Sequence, residues 1–451
     1  MQKITDKKIL VIGAGLAGSD AAWFLAQKGI QVVLLEAKTI NPTPAQKLKT
    51  AAELVCTNSL KSLKPDSAHG VLKYEMNQLG SLVLDKATEH AVGAGDALAV
   101  DRESFSAAVE KALSEHPLID LKQEEAANPI EAKKKYDCEM VIVATGPLTT
   151  KKLEDWIISE VSSDDLYFYD AIAPVVEADS LDFSKLYYKD RWKDNETEAD
   201  YLNAPMDKDQ YESFVAELKA ADKVPAANFE EYKFFESCLP IDIMAERGDE
   251  TLRFSCMKPV GLRQNEEHRP YAVIQLRKEN LQGESFNLVG FQNRLTYSEQ
   301  LRVFRMIPGF ENATFAKLGS VHRNTFLNAK KVLNWDLSLK QFPSVFMAGQ
   351  ICGVEGYTES ASMGLYAAFQ VFRRLTGKDL LVFPEDTAMG ALVRYIHTSE
   401  RPAPSNINFG LLPTIKLSRE QRRGKMKKVI KKQLAANRAK ESMDTFWSEA
   451  F

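Results

Sequence analysis

The beginning of the chain alternates between apolar runs and glycines in the order strand, turn, helix, strand. Residues 9–12 form a continuous apolar run, which is typical of a strand buried on both faces of a parallel sheet. Apolar residues then recur at helical spacing as far as Gly29, where glycine predicts the end of the helix. The run QVVLLE at 31–36 predicts the next strand, so the sequence opens with a β-α-β unit.

Two later apolar runs predict further strands of the same sheet: EMVIVATG, ending at Gly146, and SVFMAG, ending at Gly349. The segment between them is richer in aromatic residues and in alternating runs such as YAVIQLR. The pattern therefore predicts an α/β fold, with a Rossmann-like domain that carries an inserted α+β domain. The predicted parts are 1–183 for the first half of the Rossmann-like domain, 184–324 for the insertion, 325–415 for the second half and 416–451 for a basic C-terminal helix.

The turn between the first strand and the first helix reads GAGLAG, from Gly13 to Gly18. In this G-x-G-x-x-G pattern the first glycine permits a tight turn, the second lets the backbone approach a pyrophosphate, and the third allows close packing of helix on strand. The helix N-terminus adds free N–H groups for the phosphates. Glu36 ends the second strand, where a carboxylate accepts hydrogen bonds from ribose hydroxyls. Together these features predict a dinucleotide site.

The late strand and turn favour FAD as the bound dinucleotide. A glycine motif near the N-terminus together with a terminal FMAGQ strand is the layout of two-dinucleotide-fold flavoproteins, in which the last turn touches the flavin. No second G-x-G-x-x-G is visible, so NAD(P)H is expected to visit the flavin only transiently. The residues predicted to hold FAD are Gly13, Ala14, Gly15, Leu16, Ala17, Gly18, Glu36, Gly146, Gly349, Gln350 and Gly353.

Composition is that of an ordinary globular protein, with 45% hydrophobic and 27% charged residues in 451. Five cysteines without a close C-x-x-C pair fit a reducing cytoplasm and argue against a structural metal site. No apolar stretch approaches the roughly 18–20 residues of a membrane span. We therefore expect a cytoplasmic protein without a metal or a membrane partner.

Charge is distributed unevenly along the chain. Residues 416–440 hold 11 Lys or Arg and one acid, a net charge of +10, which leaves −14 for the rest of a chain whose total is −4. A basic segment on an acidic protein suggests a polyanionic partner, although a solvated helix explains the charge equally well.

Several longer runs resemble one family. ELVCTNSLKS, FFESCLPIDIMAERG, PYAVIQLR, AGQICGVEGYTESA and NINFGLLP are similar, in this order, to the folate- and FAD-dependent tRNA (uracil-5-)-methyltransferases, the TrmFO family, which is related to the larger GidA flavoproteins. The resemblance covers nearly the whole chain. It implies transfer of the methylene carbon of 5,10-methylenetetrahydrofolate to C5 of an RNA uridine, with reduced FAD as reductant and NAD(P)H restoring it. The implied target is uridine-54 in the T-loop of tRNA; a 23S ribosomal RNA uridine is the alternative.

The resemblance also identifies two catalytic cysteines, Cys56 and Cys238. C5 of uracil is a poor nucleophile until a group adds to C6, and a thiolate adds and leaves readily. On sequence alone a core position explains each cysteine better than a catalytic role. With the resemblance, Cys238 is assigned to C6 and Cys56 to proton or methylene transfer, and the reverse assignment stays open. Cys138 is expected to be structural.

RNA contacts are expected from Lys and Arg side chains. Neither DNA nor an obligate protein is expected as a partner. The candidates are the basic C-terminal segment and Arg253, Lys258, Arg277, Arg294, Arg302 and Arg305; for any one of them, an ordinary surface charge or an intramolecular ion pair is the more common explanation. His322 and Arg323 are weaker candidates for a catalytic role.

Competing functions are a GidA-like enzyme of the wobble uridine, an FAD oxidoreductase acting on a metabolite, and a non-catalytic RNA-binding flavoprotein. The sequence does not distinguish NADH from NADPH and does not identify the folate-binding residues or the oligomeric state.

Overall fold

The structure is a computed structural model of the 451-residue chain. It describes residues 7–43, 46–161, 166–191, 199–224, 239–264, 269–280, 282–400, 404–418, 421 and 426–450; within these ranges, the side chains of 166–172, 320–325 and 449–450 are not described.

The strands are β1 (Lys8–Ile12), β2 (Gln31–Glu36), β3 (Ser59–Ser62), β4 (Ala91–Val92), β5 (Ala97–Val100), β6 (Ile119–Gln123), β7 (Met140–Val143), β8 (Leu166–Ile172), β9 (Val175–Glu177), β10 (Tyr187–Tyr188), β11 (Tyr201–Met206), β12 (Ala272–Lys278), β13 (Ser285–Leu288), β14 (Phe315–Lys317), β15 (Ser320–Phe326) and β16 (Val345–Met347).

The helices are α1 (Leu16–Gln27), α2 (Ala68–Gln78), α3 (Leu82–Glu89), α4 (Arg102–Glu115), α5 (Pro129–Lys135), α6 (Lys151–Glu160), α7 (Lys208–Ala220), α8 (Ile241–Glu246), α9 (Thr251–Phe254), α10 (Tyr297–Phe304), α11 (Ala329–Val332), α12 (Tyr357–Leu375), α13 (Ala388–Thr398) and α14 (Lys427–Ala450). Within the described ranges, none of them is both long enough and apolar enough to cross a membrane.

The first sheet is parallel and has the order β16-β7-β1-β2-β6. Its central strand β1 is fully buried at Ile9, Leu10 and Val11, as its apolar run predicted. The last strand, β16, comes from the far end of the chain and pairs with β7 in register Phe346↔Ile142. The predicted Rossmann-like α/β fold is therefore confirmed, with strands from both ends of the chain in one sheet.

The second sheet is antiparallel, with the order β10-β11-β12-β13-β9-β14. It has its own hydrophobic core, separate from that of the first sheet. Strands β8 and β15 form a two-stranded antiparallel ribbon, from Ser320↔Ile172 to Phe326↔Leu166, through which the chain leaves the first sheet and returns to it. Because β9 belongs to the second sheet, that sheet begins before residue 184; the domain boundaries themselves stay a prediction.

Helix α12 packs along helix α1, and a glycine permits their close contact. A Cβ atom added at Gly364 would lie only 2.1 Å from the backbone oxygen of Ala17. Real Cβ atoms do not approach backbone oxygen so closely, so any larger residue would separate the helices.

The basic C-terminal helix begins later than predicted. Residues 413–418 are not helical, and α14 starts at Lys427 rather than at 416. The Ser418 hydroxyl accepts from the Gln421 amide at 3.2 Å, and the Gln421 side chain accepts from the Ser418 amide at 3.0 Å. These reciprocal bonds have the pattern of a capping box, in which each side chain satisfies the backbone amide of the other residue.

We predict that Gly364→Ala lowers the stability of the protein, because the added methyl group forces α1 and α12 apart. The expected cost is about 1–3 kcal/mol, as for other insertions into a packed core. Thermal unfolding of the purified protein measures this change. Ser360→Ala on the same helix adds no atom and serves as the control; an unchanged melting temperature for Gly364→Ala would contradict the packing described above.

Candidate functional site

The glycine turn after β1 has the geometry that its sequence predicted. Gly13 has a φ of +98°, and a Cβ atom there would lie 2.7 Å from the backbone oxygen of Ala144. A Cβ at Gly18 would lie 1.8 Å from the oxygen of Gly13. At Gly15 no atom lies within 4 Å of the Cβ position, so the backbone is open there to an approaching group. Helix α1 starts at the next residue, Leu16.

Glu36 faces this turn from the end of β2. One carboxylate oxygen accepts from the Ala14 amide at 2.8 Å, and the other accepts from the Lys38 amide at 2.8 Å. Each oxygen has a second lone-pair site, so the half-buried carboxylate keeps acceptor capacity. This is the arrangement that a ribose hydroxyl pair requires.

An open cleft lies over the glycine turn. Its lining includes Gly13, Gly15 and Glu36, and also Val55 and Leu148. The last two pack against the side chain of Cys56. The cleft therefore joins the predicted dinucleotide cradle to the neighbourhood of the predicted catalytic thiol.

The other residues predicted to hold the cofactor flank this cleft or lie apart from it. Ala14, Leu16 and Ala17 belong to the turn and the first turn of α1, and Gly146 follows Thr145, which lines the cleft. In the part of the chain that the structure describes, Gly349, Gln350 and Gly353 are outside the lining.

The late glycine turn nevertheless approaches the start of α1. A Cβ at Gly349, where φ is +84°, would lie 2.9 Å from the Cβ of Ala17. Gln350 donates to the Glu355 carboxylate at 2.9 Å, and Gly353 has a left-handed conformation. A flavin role for these three residues stays a prediction.

Cys56 is buried in the loop between β2 and β3, with 8% of its surface exposed. Its backbone amide donates to the Tyr357 hydroxyl at 2.7 Å, and the Thr57 amide donates to the same oxygen at 3.1 Å. Burial, followed by the nearby Cys56, raises the pKa of Tyr357, so the hydroxyl is a neutral acceptor at ordinary pH. Tyr357 is the first residue of α12, and the start of this helix thus fixes the thiol-bearing loop.

Basic side chains hold the same loop from two other directions. Arg102 of α4 donates to the Leu54 carbonyl at 2.9 Å and forms an ion pair with Glu279. Lys317 of β14 donates to the Val55 carbonyl at 2.8 Å.

A third basic residue, Arg277 of β12, reaches the loop from the second sheet. It is buried and donates to the side chains of Asn58 at 2.8 Å and Thr57 at 2.9 Å. Both sheets therefore meet at the Cys56 loop. The sequence indicated none of these contacts, because each joins residues that are far apart in the chain.

Lys317 is unusual among these groups because its charge is poorly solvated. Burial, followed by the charge of Arg102, lowers its pKa to about 8, although Cys56, Glu53 and Glu279 act in the opposite direction. A lysine with this pKa is only partly charged at slightly alkaline pH.

Cys238 lies outside the described residues, so its distance from Cys56 stays untested. Among the described cysteines, burial raises the pKa of Cys138 to about 11, and it also raises the pKa of Cys352. Neither thiol is readily ionised, which fits the structural role expected of Cys138. The side chains of His322 and Arg323 are also outside the description. In the described ranges, no group of three or more His, Cys, Asp and Glu is arranged to hold a metal ion.

The model of one protein family, described as glucose inhibited division protein A, matches residues 8–379, a span that includes the first and second sheets, the glycine turn and Cys56. The chain belongs to this family. Two relatives within it carry the name methylenetetrahydrofolate--tRNA-(uracil-5-)-methyltransferase TrmFO. The protein of Desulfitobacterium hafniense is 47% identical, covering 95% of this chain and 97% of its own. The protein of Geobacter sulfurreducens is 48% identical, and the match covers 93% of this chain and 96% of its own. The predicted TrmFO membership is confirmed.

A solved structure is similar in fold. Aquifex aeolicus GidA superimposes with a TM-score of 0.67 at 17% identity, covering 99% of this chain and 75% of its own. At this identity the likeness supports the shared fold alone.

We predict that Tyr357→Phe loosens the Cys56 loop, because two backbone amides lose their acceptor. An unsatisfied buried donor costs about 1–3 kcal/mol. Amide hydrogen exchange at residues 54–58 should accelerate accordingly, while FAD stays bound. The matched control is Tyr366→Phe on the same helix, whose hydroxyl donates to the Trp335 carbonyl instead and which should leave exchange in the loop unchanged. Unchanged exchange in Tyr357→Phe would contradict the assigned contact.

We further predict that the contribution of Lys317 to the free energy of unfolding depends on pH. Its pKa in the folded protein lies below the unfolded value of 10.5, so unfolding takes up a proton between about pH 8 and 10.5. The free energy of unfolding of the wild type, relative to Lys317→Met, should therefore rise by roughly 1–3 kcal/mol across this interval. Denaturant titrations at pH 7.5 and 10 measure the change. Exposed Lys111→Met is the control, and an equal pH response in both variants would refute the prediction.

Proposed function

We propose that the chain is an RNA uridine C5-methyltransferase. It takes carbon from 5,10-methylenetetrahydrofolate and reducing equivalents from FAD, which NAD(P)H reduces again, and its target is the T-loop uridine-54 of tRNA. The observation that carries the proposal is Cys56 beside a dinucleotide cleft, in a chain 47% identical over 95% of its length to a relative named for this reaction.

The residues around the cleft fit FAD. The open backbone at Gly15 and the first amides of α1 suit a pyrophosphate, and the acceptor capacity of Glu36 suits the adenosine ribose. When bound, reduced FAD supplies the hydride that converts the transferred methylene carbon into a methyl group.

The two cysteines have separate tasks in this proposal. The Cys238 thiolate forms a bond with C6 of the uridine, and the electron pair displaced to C5 attacks the one-carbon unit. A base then removes the C5 proton as the tetrahydrofolate amine leaves the methylene carbon; once that carbon has accepted a hydride, elimination at C6 releases the Cys238 thiolate again. Cys56, held beside the cleft, handles the proton or the methylene group.

The neighbours of Cys56 hold its loop in place. Lys317 and Arg102 donate to the carbonyl groups of the two residues before Cys56. The Tyr357 hydroxyl holds the backbone of Cys56, which limits the directions in which the sulfur can point. RNA is the macromolecular partner in this proposal, and the cytoplasm is the expected compartment.

Methyl transfer in vitro tests the proposal. The FAD-loaded protein is incubated with carbon-labelled methylenetetrahydrofolate and NADPH, and unmodified tRNA and unmodified 23S ribosomal RNA are offered separately. Label at C5 of uridine-54 in tRNA is the expected result. Label in ribosomal RNA alone would identify ribosomal RNA, rather than tRNA, as the substrate. Label in neither RNA would overturn the proposal.

Cysteine variants test the assigned roles in the same assay. Cys56→Ser and Cys238→Ser should each lower turnover by at least about 10³-fold with FAD still bound, while Cys138→Ser should retain activity. RNA with 5-fluorouridine at the target separates the two thiols, because fluorine cannot leave as a cation and the C6 adduct persists. Mass spectrometry should find the adduct on Cys238; an adduct on Cys56 would exchange the roles.

A further inference from the structure

The C-terminal helix α14 consists of two halves with different surroundings. From Ala435 onwards it is anchored: Ala436, Ala439, Met443 and Phe446 are buried at helical spacing. The Phe446 ring packs on Phe383 with centroids 4.5 Å apart. The first two turns, by contrast, are exposed and contain four lysines, which we call the lysine arm: Lys427, Lys428, Lys431 and Lys432.

The lysine arm does not stabilise the helix that carries it. Lys427 and Lys431, like Lys428 and Lys432, are four residues apart, where like charges repel. Cations are also unfavourable near a helix N-terminus, and the first turn of α14 contains no acid. Within the described part of the chain, none of the four ammonium groups forms an ion pair. The fold supports this cluster through the anchored half but gains nothing from its charge.

The arginines of the inserted domain, by contrast, have partners within the protein. Arg294 binds the Asp242 carboxylate at 2.6 Å, and Arg302 pairs with Glu299 and Glu217. Arg305 donates to the Ala313 carbonyl, and Arg253 donates to the Tyr271 carbonyl.

Arg277, as described above, is buried against the Cys56 loop. Five of the six basic residues that the sequence suggested for RNA are therefore already committed to contacts within the protein. Only Lys258 remains exposed without such a contact in the described ranges.

We propose that the lysine arm is the surface that binds the phosphate backbone of the substrate RNA. The inference rests on the proposed function and adds where the polyanion docks. Four ammonium groups that form no ion pair with the described residues, carried on one helix, release counterions when they meet phosphates, which gives affinity without reading sequence. The arm thus supplies RNA affinity, while the Cys56 loop and the cleft serve the chemistry.

The test uses the full-length FAD-loaded protein with all four arm lysines changed to Gln, which removes the charge and keeps helix propensity. Binding of fluorescently labelled unmodified tRNA is titrated from 50 to 300 mM salt. The dissociation constant at 100 mM salt should rise about 10–100-fold, and the slope of log affinity against log salt should fall in magnitude by about 3, or 0.7–0.9 per lost phosphate contact. The KM for tRNA should rise while kcat is unchanged.

The matched control removes four exposed lysines elsewhere, Lys111, Lys134, Lys330 and Lys378, by the same Gln substitutions, so that the net charge changes equally. An equal loss of affinity in this control, or an unchanged salt slope in the arm variant, would overturn the proposal. If the arm variant no longer binds vesicles of phosphatidylserine and phosphatidylcholine but still binds tRNA as the wild type does, the arm binds a membrane surface and the proposal is overturned. If the wild type binds tRNA through the arm but transfers no methyl group to it, the docking proposal stands and the proposed reaction fails.

Discussion

The contact between α1 and α12 at Gly364 is the constraint on which the rest of the site depends. It brings the first turn of α1, which forms the dinucleotide cradle, and the first residue of α12, Tyr357, into one rigid unit. Tyr357 then fixes the amide of Cys56. The absence of a side chain at Gly364 therefore helps to set the position of the Cys56 thiol relative to the cleft.

The Cys56 loop is also where the two sheets meet. Arg277 and Lys317 come from strands of the second sheet, whereas Arg102 and Tyr357 come from helices that pack on the first. A buried cation such as Arg277 is costly unless its hydrogen-bond partners, here the side chains of Asn58 and Thr57, are in place. The arrangement consequently ties the geometry of the thiol to the correct docking of the inserted domain.

Local patterns in the sequence predicted the parts of the protein that local rules determine. The apolar run of β1, the glycines at 13, 15 and 18, and Glu36 all lie where the sequence placed them, since strand, turn and helix signals act over a few residues. The support of Cys56 was not predictable in this way. Tyr357 and Lys317 lie about 300 and 260 residues from the loop, and only the folded topology brings them together. The predicted start of α14 was wrong because a run of basic residues does not mark where a helix begins; residues 413–418 are not helical, and α14 begins at Lys427.

Strand β16 has a consequence for how the protein is made. It completes the parallel sheet beside β7, yet roughly 200 residues separate the two strands, and at about 5–20 residues per second a ribosome needs some 10–40 s to synthesise them. During that interval the edge of β7 is an apolar strand without its neighbour. Nascent chains with such an edge are prone to pair with one another. The second sheet, whose strands are all complete by residue 317, is able to fold within that interval and to shorten the distance that β16 must cover.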